Sequence, residues 1–327
     1  MNYHILVENL TKVFRIPKPD LTKWEKFKNI FVKQRIQKTV LDNISFKIKP
    51  REIVGYLGLN GAGKSTTIKI LTGVLFPTSG KVKVLNFIPF EKRYEFRKQI
   101  GVIFGHKSIL EWDIKAIESL KLFASIYELS NEEFKARLQY FDELLGLEKY
   151  YKTPVRKLSL GERMRFEIAA NFLHKPKIVF LDEPTLGLDI FAKDKIRNFL
   201  LTINKKEKTT IFLTTHYMED VEKLCKRAIL LHQGKIIYDG SLQKLKEKFV
   251  KEKRLLIKFS SIKNKNLFQK FISKFNVVRK SQNVIVIRTE KTKEAIEKAF
   301  SCLDIIDVIV REPNLEAVIK NVYKERT

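Results

Sequence analysis

The chain has 327 residues, enough for one large domain and a small one, and a hydrophobic fraction of 44% that excludes a disordered or fibrous protein. Lysine and arginine number 64 against 37 acids, a net charge of +27 spread over the whole length with no nucleic-acid motif, so anionic partners are implied but no nucleic acid is expected. No apolar run approaches the roughly 18–20 residues that cross a bilayer, Met1-Asn2-Tyr3-His4 lacks the layout of a signal peptide, and Cys225 and Cys302 match no metal spacing and read as reduced, packed thiols.

Residues 1–16 and 38–50 alternate like strands, Thr39 to Ile48 most clearly. Between them, residues 17–37 read as a basic amphipathic insert, with Leu21, Trp24, Phe27 or Lys28, and Phe31 near helical spacing. Such a helix either caps the protein's own sheet or rests on an anionic membrane leaflet or membrane subunit. Ile53 to Leu57 then reads as a buried strand, and Thr66 to Leu71 as a helix. The segment between them, Gly58-Leu59-Asn60-Gly61-Ala62-Gly63-Lys64-Ser65-Thr66, is a phosphate loop. Its glycines let backbone N–H groups close around phosphate, Lys64 brings a positive charge to the β- and γ-phosphates, and Ser65 offers Mg²⁺ a hydroxyl. The helix behind it points its positive end at the same place.

From about Glu91 to Pro154 the pattern turns helical: Ile117, Leu120, Phe123 and Ala124, then Phe134, Leu138, Phe141 and Leu145, with Gly146 as a stop. Leu158-Ser159-Leu160-Gly161-Glu162 follows, just before a helical run from Arg163 to Leu173. Ile178-Val179-Phe180-Leu181-Asp182-Glu183 is a second buried strand, ending in two carboxylates. In a parallel sheet, ligands gather at the carboxyl ends of strands, so Asp182 suits Mg²⁺ and Glu183 suits the general base that polarises an attacking water.

These pieces together resemble the ABC ATPases. Leu158 to Glu162 resembles their signature motif, usually written LSGGQ, with Leu160 in place of a glycine and Glu162 in place of the glutamine. Ser159 and the Gly161 amide keep the groups that meet a γ-phosphate. Pro184-Thr185-Leu186-Gly187-Leu188-Asp189 looks like the D-loop, and His216 in Leu213-Thr214-Thr215-His216 like the switch histidine. By this resemblance His216 contacts the γ-phosphate, Asp189 organises the opposing subunit's site, and Phe14 stacks on adenine, though Phe14 could instead be a core residue of the first strand. Ile100 to His106 aligns with the segment where the family carries a glutamine near Mg²⁺; His106 either senses the metal through water, modifies hydrolysis as a titratable group near neutral pH, or points away.

The resemblance covers residues 1–245 and implies an α/β P-loop ABC ATPase: a RecA-like core, an antiparallel β subdomain, and an α-helical subdomain over about 91–160. Lys177 to Asp239 returns to strand–helix alternation, and Gly234 to Gly240 reads as the edge of a last strand pair. Residues 246–327 follow another plan, strands and helices in the order βαββαβ, which suggests a small α+β ferredoxin-like domain. The implied cofactors are ATP and Mg²⁺. ATP would be held by Phe14, Asn60, Gly61, Ala62, Gly63, Lys64, Ser65, Thr66, Ser159, Gly161, Glu162 and Asp189, and the metal by Ser65, Asp182 and His106. Lys64, Glu183 and His216 would carry the catalysis.

The implied function is the ATP-hydrolysing subunit of a transporter. It would close head-to-tail on ATP with a second copy, or with an unlike ATPase subunit, and drive separate integral membrane permease subunits. The wording around Ser159 and Thr185 looks like bacterial exporters of drugs, lipids or polysaccharides, acting peripherally at the cytoplasmic face of the membrane. A soluble ABC ATPase working on ribosomes or nucleic acid is the alternative, as is an ATP-gated module that does not hydrolyse.

Overall fold

The computed structural model describes residues 3–17, 35–105, 107–249 and 252–324. They fall into two compact units, Met1–Gly240 and Ser241–Thr327.

The first unit opens with β1 (Ile5–Pro17), β2 (Arg35–Ile48), β3 (Ile53–Gly58), α1 (Lys64–Leu71) and β4 (Ser79–Val84). β1 lies between β2 and β4 and runs antiparallel to both. Ile5, Val7 and Leu10 of β1, Leu41, Ile44, Phe46 and Ile48 of β2, and Val82 and Val84 of β4 bury one face of this small sheet. The alternation read from Thr39 to Ile48 has that cause. The register slips between Val7 and Leu10, and Asn9 takes φ 51° there, as a bulge requires.

Next come α2 (Arg93–Arg97), β5 (Ile100–Phe104), α3 (Ala116–Ile126), α4 (Asn131–Leu145) and α5 (Leu160–Phe172). The unit ends with β6 (Ile178–Asp182), α6 (Ile190–Glu207), β7 (Thr210–Thr214), α7 (Met218–Leu224), β8 (Arg227–His232) and β9 (Lys235–Ser241). The main sheet has the order β5-β6-β7-β3-β8-β9, parallel from β5 through β8. Its central strands are buried on both faces, which is why they read as unbroken apolar runs. Phe46, Tyr56, Phe180 and Phe212 join the two sheets, with ring centroids 5.0–6.1 Å apart. Each such pair contributes about 0.5–1.5 kcal/mol beyond the area it buries.

The second unit contains α8 (Leu242–Phe249), β10 (Lys253–Ile262), α9 (Lys265–Lys274), β11 (Asn276–Ser281), β12 (Val284–Thr289), α10 (Thr292–Cys302), β13 (Leu303–Arg311) and α11 (Leu315–Lys324). Its sheet has the order β11-β12-β10-β13, every neighbouring pair antiparallel. That is the ferredoxin-like arrangement, with helices α9 and α10 closing one face over Leu255, Ile257, Phe259, Ile285 and Ile287.

Three sequence boundaries need correction. Pro17 belongs to β1 and residues 35–37 to β2, so the insert is shorter than 17–37, and its proposed amphipathic helix lies outside the described residues. The span 91–160 is not all helical subdomain, because Ile100–Phe104 is a strand paired in register with Ile178–Asp182. A five-residue apolar run carries too little periodicity to separate strand from helix. The division between units falls at 240, not 245, because α8 packs against α11 and belongs with the second unit. Cys225 and Cys302 are both buried and free, and no described helix is long and apolar enough to cross a membrane.

His174, between α5 and β6, gives the first unit a measurable pH dependence. Its Nε2 lies 3.0 Å from the Ile100 carbonyl, and its ring stacks on Tyr127 at 3.7 Å. A carbonyl only accepts, so Nε2 carries the proton, while the buried Nδ1 has no partner. Burial pushes the ring down to about 4 from 6.5, outweighing the Ile100 hydrogen bond, which works upward. The folded ring therefore stays neutral where the unfolded one is protonated, and stability is lost as pH falls from 6.5 to about 4. Over that window the wild-type chain should lose about 3 kcal/mol more than a His174→Phe variant. Urea unfolding at both pH values measures the difference.

Candidate active site

β3 delivers the phosphate loop at its carboxyl end, and local packing makes glycine obligatory there. Gly63 has φ 113°, and a Cβ on it would lie 2.6 Å from Leu41 Cδ2 and 2.9 Å from the Val40 carbonyl. The Thr67 hydroxyl donates to the Gly63 carbonyl at 3.0 Å, so its oxygen is left to accept from the buried Tyr56 hydroxyl at 3.1 Å. Strand β3, helix α1 and the turn of the loop are thereby tied at one point. Asn60 and Gly61 are exposed at the loop tip, Ala62 is buried, and Ser65 and Thr66 stand in the first turn of α1.

The Lys64 ammonium donates to the Gly58 carbonyl at 2.7 Å and the Leu59 carbonyl at 3.3 Å. Burial lowers its pKa, and the carboxylates of Glu183 and Asp182 oppose that shift. The lysine thus lies within the field of both acids, although they are more than a hundred residues away in the chain. The sheet order explains this, since only β7 separates β3 from β6.

Asp182 ends β6 and accepts from the Thr214 hydroxyl at 2.5 Å, while the Gly105 amide donates to the Asp182 carbonyl at 2.8 Å. Glu183 follows in the left-handed region, φ 58°, a conformation that costs a non-glycine residue of order 1 kcal/mol. Its amide donates to the Thr214 carbonyl at 3.0 Å. Glu183 Oε2 and His216 Nδ1 are 2.6 Å apart, close but not aligned as a good hydrogen bond. Lys64, Asp182, Glu183 and His216 are therefore one cluster. His106 lies outside the described residues.

The signature segment has other neighbours. Ser159 is exposed and caps α5 in a reciprocal box: its hydroxyl accepts from the Glu162 amide at 3.3 Å, and the Glu162 carboxylate accepts from the Ser159 amide at 2.9 Å. Burial works to raise the Glu162 pKa but is outweighed by hydrogen bonds from Tyr150 and Ser159, so the side chain is held ionised. A Cβ on Gly161 would lie 3.1 Å from Ala192 and 3.6 Å from Asp189 Oδ2. Asp189 itself caps α6 by accepting from the Ala192 amide at 2.8 Å. Phe14 is half-buried on β1 beneath the Lys12 ammonium, 5.0 Å from its ring centre.

Sequence reasoning missed the group that braces the cluster from behind. Asp220 is fully buried; it accepts from the Thr185 hydroxyl, from Thr215 Oγ1 at 3.4 Å and from Arg197 Nε at 2.7 Å. Thr185 stands two residues after Glu183, and Thr215 immediately precedes His216. One carboxylate thus links the carboxyl ends of β6 and β7. The available signal was an acid one helical turn after His216, in the first turn of the short helix Met218–Leu224.

Residues 41–186 match the model of the ABC transporter family. Over 215 residues the chain is 36% identical to the ABC transporter ATP-binding protein NatA of Bacillus subtilis, covering 66% of this chain and 87% of that one. The chain belongs to the ABC transporter ATP-binding family. As an ABC ATPase it binds and hydrolyses ATP, and the geometry above is that of the family's P-loop fold. The linearmycin resistance ATP-binding protein LnrL of Bacillus subtilis is 29% identical over 87% of this ABC ATPase and 94% of its own length, so that likeness extends into the second unit. Among solved structures, the ATP-binding cassette MJ0796, a dimer in a post-hydrolysis state bound to ADP and Pi, superposes with a TM-score of 0.60 at 25% identity, over 73% of this chain and 98% of that one.

Removing the buried brace tests its weight. Asp220→Ala leaves Arg197 buried without its closest acid and should lower unfolding stability by about 3–5 kcal/mol. Asp220→Asn should cost less, because Thr185 and Arg197 keep a hydrogen-bonding partner. Urea titration of both variants checks the order.

Proposed function

We propose that this chain powers an ABC exporter: two copies close head-to-tail over ATP at the cytoplasmic face of a membrane and drive separate integral permease subunits. The observation that carries the reading is the convergence of Lys64, Asp182, Glu183 and His216 at the carboxyl ends of adjacent strands. The exposed position of Ser159 supports the second half, since a lid must face outward to reach a neighbour. The likeness to LnrL along both units supports export.

On this reading the loop amides from Gly61 to Thr66 and the Lys64 ammonium bind the β- and γ-phosphates. An anion bound there favours the charged form of Lys64, which burial disfavours. Ser65 and Asp182 supply oxygen donors, the chemistry Mg²⁺ prefers, and would hold that ion. Mg²⁺ when bound neutralises charge on the phosphates. Glu183 accepts a proton from the water that attacks the γ-phosphorus, the bond to the β-phosphate oxygen breaks, and ADP and phosphate result. His216, next to Glu183 through Nδ1, has Nε2 for a phosphate oxygen. Ser159 and the Gly161 amide of the second copy close the site from the other side, and Phe14 takes the adenine.

The γ-phosphate is the differential contact, so its removal releases the closed pair. Glu183→Gln should therefore reduce phosphate release roughly a hundredfold or more while leaving an ATP-dependent dimer on size exclusion. Lys64→Ala should bind nucleotide too weakly to dimerise. A Glu183→Gln protein that binds ATP and stays monomeric would refute the head-to-tail reading, and undiminished ATP affinity in Lys64→Ala would refute the cradle.

A further inference from the structure

Glu167 stands on α5 and is only 4% exposed, yet it lies outside the cluster of Lys64, Asp182, Glu183 and His216. Its carboxylate accepts from the Ser108 hydroxyl and, through Oε2, from the Ile109 amide at 3.2 Å. The Ser108 oxygen in turn accepts from the Leu110 amide at 3.2 Å. One turn further along α5, Asn171 Oδ1 accepts from the Val102 amide of β5 at 3.0 Å, while its Nδ2 donates to the Glu167 carbonyl at 2.9 Å. Two side chains thus bond α5 to strand β5 and to the segment that leaves it.

That segment begins beside the two acids of the site. The Gly105 amide donates to the Asp182 carbonyl at 2.8 Å, and a Cβ on Gly105 would lie 3.3 Å from Glu183 Cβ. It ends against α3, where Ser119 Oγ accepts from the Glu111 amide at 3.1 Å. Ser159 caps the helix to which Glu167 belongs, about 12 Å away along its axis. The few residues from Gly105 to Ile109 therefore connect the acids to the helix that starts at the signature serine. A buried carboxylate is a poor choice for stability alone. Burial pushes the Glu167 pKa up, against the hydrogen bonds from Ser108 and Ile109 and the charge of Arg163. An apolar side chain of similar volume would cost the fold no more.

We propose that Glu167 is a positioning residue for ATP hydrolysis: by fixing Ser108 and Ile109 to α5, it sets where Ser159 stands relative to Asp182 and Glu183. The proposal rests on the reading that Ser159 closes the site of a second copy. The rate of hydrolysis then depends on Glu167, although the residue lies outside the reacting cluster. Nucleotide capture does not, because Lys64 and the loop amides are built on β3 and α1.

The test is steady-state phosphate release and equilibrium ATP binding by the full chain. Glu167→Met removes the acceptors and keeps the volume, so kcat should fall roughly tenfold to a hundredfold. ATP affinity should stay within about twofold of wild type, and the urea midpoint should be no lower. Glu167→Gln should retain most of the rate, since its amide oxygen still accepts from Ile109 and its NH₂ group donates to the Ser108 oxygen. Ser108→Ala, a change on a half-buried loop side chain, should also slow release, and adding it to Glu167→Met should lower kcat no further. It carries the same test should Glu167→Met not fold. Wild-type kcat in these variants would overturn the proposal. So would a loss of ATP affinity or stability that matches the loss of rate, which marks a merely structural residue. Ser159→Ala is measured alongside: if it lowers kcat while Glu167→Met does not, the link is refuted and the lid reading stands. If Ser159→Ala has no effect, the lid reading fails and the proposal with it.

Discussion

Parallel pairing of β3, β7 and β6 holds the chemistry of this chain together. Gly55 is level with Leu213 and Asp182 with Thr214, so the three strands finish at nearly the same height and present Lys64, Asp182, Glu183 and His216 to one another. A slip of one residue in any of them would turn an inward group outward. Two devices oppose such a slip. From below, Phe46, Tyr56, Phe180 and Phe212 interlock across both sheets. From behind, buried Asp220 holds Thr185 and Thr215, which stand two residues after Glu183 and directly before His216.

The signature segment is organised on a different principle. Its residues are set by helix ends: Ser159 and Glu162 close the start of α5, and Asp189 closes the start of α6. The glutamate that departs from the family's glutamine thereby has a local use, since its carboxylate satisfies an amide that would otherwise lack a partner. A side chain at Gly161 would crowd the two helix starts, its Cβ lying 3.1 Å from Ala192.

Much of this was legible in the residues, because phosphate loops and strand-terminal acids are short local patterns with one physical use. Gly58 to Thr66 and Ile178 to Glu183 carry their structure in contiguous sequence. The βαββαβ order of the second unit was readable for the same reason, as each of its elements has clear periodicity. What escaped was non-local. Arg197 and Asp220 become partners only when α6 and α7 pack together, and Glu167 meets Ser108 and Ile109 only when α5 packs beside β5. Ile100–Phe104 was placed among helices because its apolar residues have no polar alternation, and pairing with β6 decides its state.

The second unit completes its own buried cluster, from Leu255 and Phe268 to Ala299 and Leu303, without drawing on the strands that surround the phosphate loop. A lineage could therefore exchange or drop this appendage without disturbing the nucleotide engine, and new tethering or sensing properties could be acquired piecemeal.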